Sequence, residues 1–277
     1  MVWCNGSLAP VSEVRLSPFD HGFTVGGGVF ETLVAENGEP FAFTRHWRRL
    51  GRSAAPFGFA PPDCEVLHEA CRAVVAANRL GRCRIRITLT GGNSPLGSAR
   101  GSNPPTLTVA AETCPPPAAS ARVVVVPWTR NEHGACAGLK TTSYAENVLG
   151  LAWARQHGAD EAVFSNTAGH LCEGSGTNIW TVRGGTLHTP GLEAGCLAGV
   201  TRELVLELCQ RLGLEVDQAP SMARLLSSSD EVFLTSTLRD VQPVLEVDGH
   251  LLGNAPGPVT TRLAETFSEL RASVVDP

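Results

Sequence analysis

Short runs of strand character alternate with helical stretches along the whole chain. In FETLVAENGEPFAF two such runs meet at Asn37-Gly38, a two-residue turn signal that predicts a β-hairpin. RHWRRLGRSAAPFG and PDCEVLHEACRAVVAANRLG read as helices, each ending in a glycine suited to the position after the last turn. The strands CRIRITLT and TLTVAA follow, separated by a Gly-, Ser-, Asn- and Pro-rich stretch over 91–105 whose length predicts a mobile surface element or lid. Consecutive prolines in TCPPPAA hold the chain extended and mark a linker. Beyond it come a strand (ARVVVVP), a loop, a helix, a strand (DEAVFS), a hairpin (NIWTVRGGTLHTP), a helix (TRELVLELCQRLG), the strands EVFLTS and PVLEVDG, and a closing helix. This order predicts an α/β or α+β protein with a sheet core in both halves: a small N-terminal domain over 1–114, a linker over 115–119 and a larger domain over 120–277.

Composition narrows the function classes. With 277 residues, 43% hydrophobic, 18% charged, 29 Gly and 19 Pro, the chain is globular and rich in turns. A net charge of -5 argues against a nucleic-acid footprint, and no apolar run approaches the roughly 18 residues of a spanning helix. The N-terminus MVWCNGSLAP has neither the basic nor the apolar region of a signal peptide, so no membrane partner and a cytoplasmic location are expected. Nine cysteines without a C-x-x-C pair read as reduced thiols, with neither metal spacing nor a reactive context for a nucleophile.

One residue stands apart from this background. Lys140 is the single lysine among 22 Lys and Arg residues. Arginine replaces lysine in solvation, surface pairing and phosphate binding, but its guanidinium does not form a Schiff base. A lone lysine kept among arginines therefore reads as a chemical residue. Ser143 with Glu146 predicts a capping box opening a helix that Gly158 closes, which sets Lys140 just ahead of a helix N-terminus. Tyr144, the only tyrosine, lies four residues on and is either a core aromatic or a substrate contact. The stretch GACAGLKT is one residue short of a phosphate-binding loop and has Leu139 inserted before the lysine, so a nucleotide-triphosphate site is not expected.

Four further blocks accompany Gly138-Leu139-Lys140: DHGFTVGGGVFE at 20–31, HWRRL followed by Ser53-Ala54, CEGSGTNI at 172–179, and GVTR at 199–202 with Ser236-Thr237 beyond. In this order they resemble the class IV (fold type IV) pyridoxal-phosphate enzymes, which include branched-chain and D-amino-acid aminotransferases and 4-amino-4-deoxychorismate lyase. His21 and Gly27 depart from the pattern, where an arginine and an acidic residue are usual. The resemblance implies two α/β domains with the cofactor between them, usually as a homodimer. It assigns Lys140 as the Schiff-base and proton-transfer residue. Arg49, Val200, Thr201, Ser236 and Thr237 would hold the cofactor phosphate, Glu173 the pyridine nitrogen, and Phe30, Tyr144 and Arg239 the substrate.

The blocks KTTSYAENVL, LCEGSGTN and TSTLRDVQPV look nearest to lyase-type sequences, and the Asn-Tyr pair that follows the lysine in branched-chain enzymes is missing. The resemblance thus implies a lyase that turns 4-amino-4-deoxychorismate into 4-aminobenzoate, a folate precursor, and pyruvate. Its alternatives are a D-amino-acid or branched-chain aminotransferase, and a catalytically silent member that acts as a binding protein.

Overall fold

In the computed structural model, which describes residues 1–253 and 255–277, the chain opens with the short strands β1 (Val2–Cys4) and β2 (Ser7–Ala9) and a single helical turn, α1 (His21–Thr24). The strand β3 (Gly28–Glu36) then turns into β4 (Glu39–Pro40) through Asn37 (φ 53°) and Gly38 (φ 89°), the left-handed pair that Asn-Gly specifies. Two helices follow, α2 (Phe43–Ala54) and α3 (Cys64–Ala77), and then the long hairpin β5 (Cys83–Thr90) and β6 (Thr106–Thr113). These strands form one sheet in the order β2-β1-β6-β5-β3-β4.

Alternation along the strands decides what each face does. Val29, Leu33 and Ala35 of β3, Ile85, Ile87 and Leu89 of β5 and Val109 of β6 share the face packed against Phe43 and Leu50 of α2 and Leu67, Cys71 and Val74 of α3. Glu31 has the same parity as Val29 and Leu33, so the pleat drives a carboxylate into this apolar layer. The opposite face carries Phe30, Thr32, Arg86, Thr88 and Thr106. Register places Thr32 opposite Arg86 and Phe30 opposite Thr88.

The rest of the chain supplies β7 (Ala121–Arg130), α4 (Ala145–Gln156), β8 (Glu161–Asn166), β9 (Leu171–Gly174), β10 (Asn178–Arg183), β11 (Thr186–His188), α5 (Val200–Arg211), β12 (Val216–Asp217), β13 (Glu231–Ser236), β14 (Asp240–Val247), β15 (His250–Leu251) and α6 (Pro258–Ser273). Its strands run in the order β12-β11-β10-β13-β14-β7-β8-β9, with β15 beside β14. β7 is parallel to both β8 and β14, and the crossover from β7 to β8 is made by α4. Among the described residues no helix is long and apolar enough to cross a membrane.

The chain divides into two units by its internal contacts: residues 1–115, 139–144 and 274–277 form one, 116–138 and 145–273 the other. Two segments expected with the second domain therefore belong to the first. Residues 139–144 are held by a bridge between Val29 and Thr141, by Phe30 N–H donating to Lys140 O (3.0 Å) and by Thr142 N–H donating to Gly28 O (2.8 Å). The C-terminal tail is held by Ala42 N–H to Val275 O (2.8 Å) and by Arg45 Nε to Pro277 O (2.8 Å).

The segment 91–105 is anchored at its start, which the expectation of a mobile lid did not include. His21 N–H donates to Gly92 O and Ser94 N–H to Phe19 O, and His21 Nε2 lies 2.8 Å from Pro95 O. The substituted histidine of the first block is thus a structural tie.

Candidate active site

The first unit builds its site around the lysine. Gly26 and Gly28 are required for the approach: a Cβ on Gly26 (φ 65°) would overlap Ser143 Oγ, and one on Gly28 would stand 3.0 Å from both Leu89 O and Thr142 Oγ1. The hydroxyls of Thr142 and Ser143 both donate to Gly26 O, at 2.9 and 3.1 Å. Ser143 is thus occupied here, α4 starts at Ala145, and the expected capping box is not made.

Held this way, Lys140 lays its Nζ 4.4 Å from the centroid of the Phe30 ring and 5.9 Å from that of Tyr144. Phe30 and Tyr144 meet edge to face at 5.1 Å. Three of the expected residues are therefore brought together. A fourth group was not foreseen: Arg86 Cζ lies 3.3 Å from the same Phe30 centroid, and its Nη1 lies 3.3 Å from Thr32 Oγ1. Alternation in CRIRITLT puts Arg86 on the polar face, but only the pairing of β5 with β3 shows that this face carries Phe30. Farther along the same face, a cavity of 490 Å³ is lined by Thr88, Thr90, Thr106, Thr108 and Thr142 with Leu16 and Phe23 at its side.

Behind the lysine, α2 presents His46, Arg49 and Ser53 along one face. Ser53 Oγ accepts from Lys140 N–H at 3.1 Å. Arg49 is 5% exposed and grips Glu31 bidentately, Nε to Oε1 at 2.8 Å and Nη2 to Oε2 at 2.7 Å, while His46 Nδ1 lies 2.7 Å from Oε2. Burial alone would raise the Glu31 carboxyl, but the charge and hydrogen bonds of Arg49, aided by His46, hold it far below the usual carboxylate range. Burial pushes the His46 imidazole down, against the pull of Glu31 and with help from the charges of Arg49 and Lys140. His46 is accordingly neutral, with Nδ1–H donating to Glu31.

The second unit builds around the backbone of one residue, Leu197. Glu173, near the end of β9, accepts the N–H of Leu197 on Oε2 at 2.8 Å, and Asn178, the first residue of β10, donates its Nδ2 to Leu197 O at 2.9 Å. Leu197 leads through Gly199 into α5, so Glu173 holds the backbone just ahead of the helix start that carries Val200 and Thr201. No side chain caps this helix at Gly199, and a Cβ there would overlap Asn178 Oδ1. Ser236, opposite Asp240 at the end of β13, and Thr237 in the turn after it come to the same end of the sheet, since Thr235 pairs with Asn178.

Arg239 has other work than the expected substrate contact. Its Nη1 donates to Gln242 Oε1 at 2.6 Å, its Nη2 donates to Asp160 O at 3.1 Å, and the same nitrogen stands 3.4 Å from Oε2 of Glu161. The carboxylate it meets belongs to the chain. Cysteine chemistry is also disfavoured: burial pushes the thiols of Cys71 and Cys196 up to about 12 and that of Cys209 to about 11, away from the thiolate.

These donors fit pyridoxal phosphate by type. The first unit offers a primary amine beside two aromatic rings and a buried guanidinium. The second offers a carboxylate for a protonated ring nitrogen and an uncapped helix start for a phosphate dianion. A primary amine, a carboxylate and an uncapped helix start are groups of the kind that pyridoxal-phosphate chemistry uses.

Comparison with known proteins agrees. The amino-transferase class IV family model matches residues 28–247, and the chain belongs to that family, whose enzymes depend on pyridoxal phosphate. It is 32% identical over 276 residues to a putative branched-chain-amino-acid aminotransferase of Methanocaldococcus jannaschii, covering 98% of this chain and 96% of that one. It is 28% identical over 273 residues to the aminodeoxychorismate lyase of Bacillus subtilis, covering 95% and 92%. A solved structure of the branched-chain aminotransferase from the thermophilic archaeon Thermoproteus uzoniensis with norvaline superposes with a TM-score of 0.91 at 30% identity over 97% of this chain and 93% of that one.

Proposed function

We propose that this enzyme is a lyase that converts 4-amino-4-deoxychorismate to 4-aminobenzoate and pyruvate. The observation that carries the reading is the Arg86–Thr32 pair against the ring that Lys140 also touches. The reaction must remove a proton from an amine-bearing carbon and expel a carboxylated fragment from the neighbouring one. Lys140 would hold the cofactor and, once released, take that proton. Arg86 suits the departing carboxylate, and the Thr32 hydroxyl beside it suits the oxygen that leaves. Bound pyridoxal phosphate supplies the electron sink for the charge left on carbon. Glu173 would face its ring nitrogen, and Val200, Thr201, Ser236 and Thr237 would serve its phosphate, while Arg49, which the resemblance also assigns to the phosphate, is held by Glu31.

A transaminase expels nothing, so for it Arg86 would hold only the carboxylate of an amino acid and Thr32 would have no leaving oxygen to serve. That second reading is nevertheless favoured by the names of the relatives, since two of the three described above are branched-chain aminotransferases. Incubation of the yellow holoenzyme with 4-amino-4-deoxychorismate is expected to release 4-aminobenzoate and pyruvate in equal amounts. Turnover of leucine or D-alanine with 2-oxoglutarate, and none of the lyase substrate, would replace the lyase by a transaminase. A protein that stays colourless with pyridoxal phosphate, and that borohydride does not label at Lys140, would make it a silent binding member.

A further inference from the structure

The carboxylate assigned to the ring nitrogen has a neighbour that no sequence block marks. Arg130, the last residue of β7, has a side chain only 15% exposed, and its guanidinium stacks 4.5 Å from the Phe164 ring centroid. Its Nη1 reaches Glu146 Oε2 and Asn147 Oδ1, each at 3.2 Å. Its Nη2 stands 3.6 Å from Glu173 Oε1, and both Nε and Nη2 are buried without a hydrogen-bond partner. Buried donors are nearly always satisfied, so a guanidinium held on two sides with unsatisfied nitrogens next to Glu173 calls for a reason.

We propose that Arg130 is the positioning residue for Glu173, fixing Oε1 while Leu197 N–H fixes Oε2, and keeping the carboxylate charged when a protonated ring nitrogen meets it. This rests on the reading of Glu173 given above. A carboxylate paired with a pyridinium can take the shared proton for itself, and the electron sink weakens when it does. An opposite charge about 4 Å away favours the ionised carboxylate and leaves the proton on nitrogen. In the same unit Cys172 and Cys196 feel the charge of Glu173, Glu132 acts on Cys172, Arg202 acts on Cys196, and Glu146 shares the Arg130 guanidinium. The two thiols are pushed up by burial and by Glu173 itself, and the two glutamates are acidic.

The test compares R130Q, R130K, E173Q and the double variant R130Q/E173Q. It reads pyridoxal-phosphate affinity by titration, the pH midpoint of the cofactor's absorption band, and the melt of the cofactor-free protein as a control of the fold. R130Q is expected to weaken affinity about tenfold, as loss of a group that orients a ligand does, and to move the midpoint by roughly one unit. R130K keeps the charge and is expected to restore the midpoint to within about 0.3 of wild type. In the E173Q background the R130Q change should alter affinity by less than about twofold, because the two residues act as one. Equal effects of R130Q in both backgrounds, or an unmoved midpoint, overturn the proposal and leave Arg130 a packing residue. Should R130Q fail to melt cooperatively, R130K decides alone, and a midpoint shifted by a full unit overturns it. A wild-type protein that takes up no pyridoxal phosphate overturns this proposal together with the reading of the site, whereas uncoupled variants of a cofactor-binding protein overturn the proposal only.

Discussion

Replacing Glu31 by glutamine keeps the shape of the side chain and removes its charge, which isolates what the carboxylate does. Glu31 is 0% exposed and Arg49 5%, and the two are joined by bonds of 2.8 and 2.7 Å, so the amide would leave a guanidinium buried without its counter-charge. Stranding one member of a buried pair costs about 3–5 kcal/mol. At roughly 2–4 °C per kcal/mol for a chain of this size, the melting temperature of cofactor-free protein should fall by about 10 °C at pH 8, read by circular dichroism. Removing both charges in E31L/R49M should recover more than half of the loss, since no uncompensated ion remains. The deficit of E31Q also has a pH signature. Glu31 has its carboxyl held down in the folded protein, so its contribution is full above the ordinary value of 4.5 and is lost as pH falls toward the folded value. The gap between wild type and E31Q should therefore narrow below pH 4.5. His46, which folding keeps neutral, already lowers wild-type stability below its ordinary value of 6.5, where the unfolded chain takes the proton. A melt of E31Q within about 1 kcal/mol of wild type, or a double variant as unstable as the two single changes added together, would refute the buried-pair argument.

Two further substitutions probe the second unit. Gly199→Ala places a methyl on Asn178 Oδ1, so the Leu197 peptide and the start of α5 must shift; about 1–3 kcal/mol of stability and at least tenfold in pyridoxal-phosphate affinity should be lost, and unchanged affinity by equilibrium dialysis would show that the helix start does not bind phosphate. Arg239→Met removes the counter-charge of Glu161, whose carboxyl burial already raises. A raised group stabilises below its unfolded value and costs stability as pH climbs, so the loss should be about 3 kcal/mol near pH 8 and fade toward pH 5; a loss that is flat with pH would exclude Glu161 as the partner that matters.

Local pattern carried most of the elements and singled out Lys140, Phe30 and Tyr144, which lie together, and it stopped where pairing begins. CRIRITLT announces a strand with arginines on one face, but Arg86 reaches the Phe30 ring beside Lys140 only through the rung that sets it opposite Thr32, a pairing across 54 positions. Arg239 looked like a substrate residue because its block lies beside Ser236-Thr237. Its actual partner, Glu161, sits on β8 far upstream, and no local signal links the two. Ser143 failed as a cap for a similar reason, since the Gly26 carbonyl competes for its hydroxyl and is 117 positions away. The buried carboxylate was more accessible to foresight. Glu31 has the parity of Val29 and Leu33 on a strand whose helix face is apolar, and such a charge demands partners of the kind that α2 offers in His46 and Arg49.

The same logic gives the glycine block of residues 26–28 a meaning that its appearance as a turn conceals. A lysine that must present an amine needs its backbone fixed, because a single flexible stem otherwise spreads the Nζ over many positions. Here the fixing is done by backbone groups of residues 26–30, together with the hydroxyls of Ser53, Thr142 and Ser143. Phe30 N–H meets Lys140 O, Gly28 O meets Thr142 N–H, and Gly26 O takes two hydroxyls. Those contacts require the two backbones to come closer than a Cβ at 26 or 28 permits. Lys140 consequently packs with the first unit although its neighbours at 138 and 145 belong to the second. Gly27, which replaces the acidic residue usual in this family, contributes the carbonyl that accepts Gly91 N–H, so the departure falls on the anchored start of the 91–105 segment rather than on the lysine.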